Sequence, residues 1–162
     1  CIAIAITLAD QMASGIFKPL VARLRPSHNP ELQGVIDIVG DYRGGRYGFF
    51  SSHAANTCAV AVFLSLLFRK RIFTIAICSW AMVNSWTRLY LGVHYVGDIM
   101  VGLIWGALVG WIVFRLYRFL TLKVKLEGVE LLYTEKRAFL LAEAIALTYA
   151  AIIIYAICKT IL

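Results

Sequence analysis

Five apolar runs, each ended by charged or polar residues, constrain the fold of this chain more than any other feature. They span residues 2–17, 54–68, 72–86, 95–114 and 138–157. A hydrocarbon core about 30 Å thick needs about 20 helical residues, so such runs are typical of transmembrane helices once their flanks extend the short ones. Of the 162 residues, 61% are hydrophobic and 15% are charged, against about 25% charged in soluble domains. The composition excludes a disordered chain and argues against an ordinary soluble domain.

The apolar runs have the pattern of helices and not of barrel strands. A transmembrane barrel requires apolar and polar residues to alternate with a period of two, and the runs do not alternate in this way. Gly102, Gly106 and Gly110 recur at every fourth position, which lets two helices approach closely. We therefore predict an all-α integral membrane bundle with about five transmembrane helices, and we interpret the glycine row as close packing.

The chain is strongly basic, with 16 Lys and Arg against 9 Asp and Glu. Because these cations fall in short groups at the ends of apolar runs, we expect no nucleic-acid partner. Basic groups at 69–71 and 115–125 are predicted to be cytoplasmic, which places the segment 24–52 on the outer side. The cations assigned to that outer side are Lys18, Arg23, Arg25, Arg43, Arg46 and Arg88. Positive charge on this side needs another explanation, and a bound anion would supply it.

The first polar cluster on the outer side contains Lys18 and Arg25, followed by Pro26. Seven residues bring a helix back to nearly the same face, so a helix here would point both cations together and end at Pro26. Taken alone, the cluster is more typical of a basic anchor that extends to lipid headgroups.

The second cluster contains Ser51, Ser52 and His53, directly before an apolar run. Free backbone N–H groups and the positive dipole end make a helix N-terminus an anion site, and His53 adds a titratable proton. An ordinary N-cap with a surface histidine fits equally well.

The third cluster contains Arg88, His94 and Asp98. At a spacing of four residues, the Asp98 carboxylate can accept a hydrogen bond from one imidazole nitrogen and make the other more basic. This arrangement suits a nucleophile or a base. A purely structural His–Asp pair is the alternative.

In this order and spacing, the three clusters resemble the type 2 phosphatidic acid phosphatase family, lipid phosphate phosphatases that share a site with vanadium haloperoxidases. The family pattern of Lys, six residues and Arg-Pro is met at 18–26. Pro-Ser-Gly-His is met in part at 50–53, and Ser-Arg, five residues, His, three residues and Asp is met in part at 87–98. The departures are Phe50 for Pro, Ser52 for Gly and Thr87 for Ser. We expect them to alter substrate fit more than the chemistry.

The resemblance implies a role for each matched residue. His94 would be the nucleophile that takes the phosphoryl group, Asp98 would orient it, and His53 would protonate the leaving oxygen. The phosphoryl oxygens would be held by Lys18, Arg25, Ser51, Ser52 and Arg88. A phosphohistidine intermediate is implied, whereas no metal ion or other cofactor is.

The resemblance also implies an organisation for the whole chain. Family members tend to have six membrane helices with the first motif after the third, so two helices are expected upstream of residue 1. We predict a phosphatase-like membrane core over 1–120, a cytoplasmic linker over 121–137 and an additional transmembrane helix over 138–162.

The expected activity is metal-independent hydrolysis of a lipid phosphate monoester or diphosphate at the outer face of a bacterial inner membrane. Undecaprenyl diphosphate is the first candidate, followed by phosphatidylglycerol phosphate, phosphatidic acid and lipid A phosphates. The alternatives are a lipid phosphotransferase with the same site and a non-enzymatic, transporter-like bundle. The sequence does not indicate an oligomeric state.

Three polar residues lie outside this assignment. Asp10 and Glu143 interrupt apolar runs, and we expect both to make contacts between helices or at the membrane interface. A supporting role beside Lys18 is the alternative for Asp10. His28 follows the first motif and is expected to be an exposed loop residue.

Overall fold

The computed structural model describes residues 1–124 and 135–161. Within these residues the chain forms six α-helices, α1 (Ile2–Asp10), α2 (Lys18–Val21), α3 (Ser52–Phe68), α4 (Arg71–Tyr90), α5 (Val96–Val124) and α6 (Glu135–Ile161). A π-helical segment, Gln11–Phe17, joins α1 to α2, so the first apolar run is one continuous helical rod. The described residues therefore form five rods, and the predicted all-α bundle is confirmed.

The helices differ in how well they match the thickness of a bilayer. Among the described residues, the stretch Val96–Leu122 of α5 is the one helix both long and apolar enough to cross a membrane. Two further helical stretches, Ser52–Phe68 and Ala138–Ile154, are apolar but shorter. Large apolar side chains are nevertheless exposed on the outside of the bundle, among them Leu108 of α5 and Ile152 of α6. Exposed apolar surface of this extent is expected where lipid is the solvent.

The closest packing in the bundle is between α3 and α5. A Cβ atom at Gly102 would lie 2.6 Å from the Ser51 carbonyl oxygen, and one at Gly110 would lie 2.5 Å from that of Ala59. At Gly106 the approach to the Ala55 carbonyl oxygen is closer still. Only glycine fits at these positions, which confirms the interpretation of the glycine row as close packing. The packing fixes the start of α3 against the start of α5.

Two apolar cores hold the other helices on this pair. Small side chains of α1, such as Ala5 and Ala9, pack against Ala55 and Ala59 of α3. On another side of the bundle, α6 packs against α4 through a second cluster, formed by Ala61, Phe73, Ile77, Ala81, Ala138 and Ala142. The additional C-terminal helix thus contacts the bundle through α4.

The predicted helix from Lys18 to Arg25 is wrong. Helix α2 ends at Val21 because Ala22 adopts the left-handed conformation, with φ 49°. The chain then runs extended, since the Arg25 N–H donates to the Arg46 carbonyl at 3.1 Å and the Gly48 N–H donates to the Arg23 carbonyl at 2.9 Å. Lys18 and Arg25 therefore belong to two different local structures.

The helix ends also bear on the predicted linker over 121–137. Helix α5 continues through Val124 and α6 begins at Glu135, both inside that range. Residues 125–134 lie outside the described part of the chain, and the division into domains stays a prediction.

Candidate active site

The centre of the candidate site is the His94–Asp98 pair, where the turn after α4 leads into α5. The His94 Nδ1 atom lies 3.3 Å from Asp98 Oδ2, and the Tyr95 backbone N–H donates to the same oxygen at 2.9 Å. His94 is 3% exposed and Asp98 is fully buried. We assign the imidazole proton to Nδ1 from this contact, which leaves the lone pair of Nε2 available. Burial lowers the pKa of His94 despite the hydrogen bond to Asp98, so the ring is neutral near pH 7.

The other oxygen of the Asp98 carboxylate is bound by a residue to which sequence analysis gave no role. Arg23 donates from Nη2 to Asp98 Oδ1. Sequence reasoning placed Arg23 among the outer cations and gave it no further role. A helix through 18–25 would have kept it off the face shared by Lys18 and Arg25. The extended backbone after Ala22 places side chains two residues apart on one side, which brings Arg23 to the same side as Arg25.

The N-terminus of α3 lies directly beside this pair. Ser51 is the N-cap, with its side-chain oxygen accepting from the Ala54 N–H at 3.4 Å. The Ser51 N–H donates to the Asp98 carbonyl at 3.1 Å, which ties the cap to α5. The backbone N–H groups of Ser52 and His53 fall in the first turn, where a helix offers no internal acceptor. They leave a positively polarised helix end available for an anion.

Lys18 reaches this helix end from α2. Its ammonium group donates to the Ser52 hydroxyl at 3.0 Å and to the Ser14 hydroxyl at 3.0 Å. Ser14 in turn donates to Asp10 at 3.4 Å, and Asn56 of α3 donates to the same Asp10 oxygen at 3.3 Å. The expected contact of Asp10 with another helix is confirmed, and Asp10 also supports Lys18 through Ser14.

Arg25 and Arg88 approach from different elements. The Arg25 Nε atom donates to the Tyr47 carbonyl at 3.1 Å. The loop folds over this guanidinium at Gly44. Glycine is required there for two reasons, because φ is +63° and because a Cβ would lie 2.7 Å from Arg25 Nη1. The Arg88 guanidinium at the end of α4 donates to the Thr87 hydroxyl at 3.2 Å. Thr87 therefore retains a hydroxyl in contact with the arginine that follows it.

The predicted site residues come together at one end of the bundle. His53 is exposed, and the charges of Arg88, Lys18 and Arg25, together with His94, act on it electrostatically. The charges of Arg25 and Lys18 also act on His94. Three cations, two histidines, a buried carboxylate and a helix N-terminus thus form one cluster, whose composition suits a tetrahedral oxyanion.

The remaining polar residues lie elsewhere. His28 contacts the Ser27 hydroxyl at 3.3 Å and is half-buried. The expectation that this loop histidine is exposed is therefore wrong. Glu143 is exposed on α6. Across residues 1–124 and 135–161, no three His, Cys, Asp or Glu side chains are grouped as metal ligands.

Comparison with known proteins points to the family that the three sequence motifs resemble. The family model of the PAP2 superfamily matches residues 1–122. A lipid A 4′-phosphatase of Bacteroides thetaiotaomicron is 44% identical over 167 residues, which cover 98% of this chain and 72% of the relative. A lipid A 4′-phosphatase of Porphyromonas gingivalis is 40% identical over 114 residues, which cover 70% of this chain and 48% of the relative. No solved structure shows a significant match.

The family match covers all three motifs, the helices that carry them and the polar cluster that they form. The match to the Bacteroides enzyme extends the likeness beyond the matched family region, into the C-terminal part of the chain. The chain therefore belongs to the PAP2 superfamily, the family of lipid phosphate phosphatases that its sequence motifs resemble.

Proposed function

We propose that this protein hydrolyses a phosphate monoester of a bacterial membrane lipid through a covalent intermediate on His94. The observation that carries the proposal is the buried contact between His94 Nδ1 and Asp98, which leaves Nε2 as the basic nitrogen. A neutral, oriented imidazole is a competent nucleophile toward phosphorus.

In the first step, the Nε2 lone pair forms a bond to phosphorus while the bond from phosphorus to the lipid oxygen breaks. His53, in its protonated form, donates a proton to that oxygen, so the lipid leaves as an alcohol and His53 becomes neutral. In the second step, His53 takes a proton from water, the water oxygen bonds to phosphorus, and the P–N bond to His94 breaks. Inorganic phosphate leaves and both histidines regain their starting states.

The cations and the α3 N-terminus support this reaction by neutralising charge on the three phosphoryl oxygens. Lys18, Arg25 and Arg88 supply positive charge, while Ser52 contributes its backbone N–H and Ser51 fixes the start of the helix. Phosphoryl transfer depends mainly on such positioning and charge stabilisation, with little covalent chemistry beyond the nucleophile.

For the substrate, the names of the two relatives favour lipid A. We propose a phosphate monoester of lipid A, at the 4′ position, ahead of undecaprenyl diphosphate, phosphatidylglycerol phosphate and phosphatidic acid. Both relatives are named for this one reaction, and the match to the Bacteroides enzyme, which covers 98% of this chain, includes the three motifs and the helices between them.

The location that fits is a bacterial inner membrane with the site facing outward. Helix α3 carries the site at its first residue and the basic turn 69–71 after its last, about 25 Å away at 1.5 Å per residue. Arg115 and Arg118 lie toward the far end of α5 from Asp98. By the positive-inside rule, these basic groups support a cytoplasmic location for that end of the bundle.

Phosphate release from purified protein in detergent tests the proposal, with lipid A, undecaprenyl diphosphate, phosphatidylglycerol phosphate and phosphatidic acid as parallel substrates. We expect the highest kcat/KM on lipid A and retention of activity in chelator. Transfer of the phosphoryl group to an added lipid alcohol in preference to water would identify a phosphotransferase. Folded protein that releases no phosphate from any of the four lipids would contradict the proposal.

A further inference from the structure

The Asp98 carboxylate is a buried anion with hydrogen-bond partners on both of its oxygens. Oδ2 accepts hydrogen bonds from the His94 Nδ1–H and the Tyr95 N–H, whereas Oδ1 accepts one from the Arg23 guanidinium. A fully buried carboxylate is costly unless it is paired and hydrogen-bonded. Arg23 is the one residue of the described chain that forms a salt bridge with Asp98 through a permanent charge.

Arg23 is itself held in a fixed orientation. Its guanidinium carbon lies 5.0 Å from the centroid of the Phe49 ring and 5.0 Å from that of the Tyr95 ring. Phe49 packs on Phe17 and Phe50, with ring centroids 6.3 and 6.0 Å apart, so it is anchored to the bundle core. The Tyr95 hydroxyl accepts from Asn29 at 3.3 Å, which fixes the second ring. Arg23 therefore lies between two restrained aromatic faces.

The loop over the carboxylate also fits closely. A Cβ at Gly48 would lie 3.3 Å from Asp98 Oδ2, and the Gly48 N–H is bonded to the Arg23 carbonyl. The same backbone pairing thus places Arg23 and brings the loop against Asp98. The backbone pairing and the two aromatic rings therefore both restrict the position of the Arg23 guanidinium.

We propose that Arg23 is a positioning residue for the phosphatase reaction, holding the Asp98 carboxylate so that its other oxygen orients His94. The assignment deepens the proposed function and rests on it. Arg23 acts on one carboxylate oxygen and His94 on the other, so a displaced carboxylate would rotate the imidazole and misalign Nε2. A guanidinium suits this role better than an ammonium, because it stacks on rings while it donates in a fixed direction.

The test compares Arg23→Gln with the matched variant Arg46→Gln, which removes the same charge from an exposed arginine that stacks on Tyr47. We expect Arg23→Gln to lower kcat by about 10²-fold, as a misaligned reacting group does, with KM nearly unchanged. Arg46→Gln should keep the wild-type rate. Removing a cation beside the His94–Asp98 pair favours the protonated ring, so the acidic limb of kcat/KM should also move to higher pH in Arg23→Gln.

Combination with Asp98→Asn separates positioning from general stability. If Arg23 acts through Asp98, Arg23→Gln costs little further activity in the Asp98→Asn background. Where Arg23→Gln does not fold, Arg23→Lys replaces it in both backgrounds, with a loss expected only where Asp98 is present. Equal losses in both backgrounds, an unmoved acidic limb, or a wild-type rate in the Arg23 variant would overturn the assignment. An inactive wild type would instead overturn the proposed function.

Discussion

The two histidines of the site lie in contrasting surroundings. His94 is 3% exposed and its ring is bound by a buried carboxylate that is itself held by Arg23 and a backbone N–H. His53 lies one residue inside the start of α3 and is exposed, with cations near it. One imidazole is fixed and neutral, whereas the other is accessible and open to proton exchange.

This contrast matches the two tasks of a phosphohistidine mechanism. A nucleophile must attack along one direction, so it gains from a rigid and water-poor setting. A proton carrier must serve a lipid oxygen in one step and a water molecule in the next, so it gains from access to both. The different surroundings thus support different roles for two residues of identical chemistry.

The largest expected effect is that of His94→Ala. Phosphate release should fall by an amount on the order of 10⁶-fold, the scale on which loss of a covalent nucleophile acts. Radiolabelled lipid substrate quenched in alkali should leave label on the wild type and none on this variant. Label that persists in His94→Ala but is absent from His53→Ala would reverse the two assignments.

His53→Ala should have a smaller effect that depends on the leaving group. With a lipid alcohol, loss of the general acid should lower the rate by about 10²–10⁴-fold. A nitrophenyl phosphate needs no protonation of its leaving oxygen, so the variant should release one equivalent of nitrophenolate in a rapid burst and then turn over slowly. Absence of the burst in folded protein would show that His53 is needed for more than proton transfer.

Gly106→Ala tests whether the α3–α5 packing keeps His53 in place relative to the His94–Asp98 pair. His53 lies on α3, whereas Asp98, which binds His94, lies on α5. A Cβ at Gly106 would meet the Ala55 carbonyl too closely for the helices to keep their spacing. We expect a loss of stability of about 1–3 kcal/mol, typical of overpacking, and a parallel loss of activity. Gly97→Ala is the matched control on the same helix, because nothing lies within 4 Å of a Cβ there. Equal melting temperatures for the two variants would contradict this role of the glycine row.

The sequence predicted the local contacts of the candidate site, because these contacts depend on short spacings along the chain. His94 and Asp98 are four residues apart at a helix start, and the contact at 3.3 Å follows from that spacing. The Ser51 cap likewise follows from a serine before an apolar run. Both features depend on residues within one turn of each other, where the 3.6-residue period of a helix is a reliable guide.

The first motif shows why the rest was not predictable. The helical period placed Lys18 and Arg25 on one face, but the left-handed turn at Ala22 ends the helix between them. Alanine gives no signal for such a turn, since positive φ is uncommon for it. The extended segment then pairs with residues 46–48, more than 20 positions away in the chain, and this pairing brings Arg23 to Asp98. Contacts of that separation leave no periodic pattern in the sequence.

The smallest expected effect is on the pH dependence of the covalent step. Burial lowers the pKa of His94 from the ordinary value of 6.5, so the ring stays neutral as the pH falls through 6.5 and becomes protonated only at lower pH. The nitrophenolate burst in His53→Ala isolates this group, because His53 is absent and the leaving group needs no acid. The burst rate at pH 6.5 should therefore exceed half of its plateau value, with the acidic limb at lower pH. A limb above pH 6.5 would mean that the Asp98 carboxylate stabilises the imidazolium more than burial destabilises it, and the fixed histidine would then be protonated, and unable to attack phosphorus, at pH values where a free imidazole is mostly neutral.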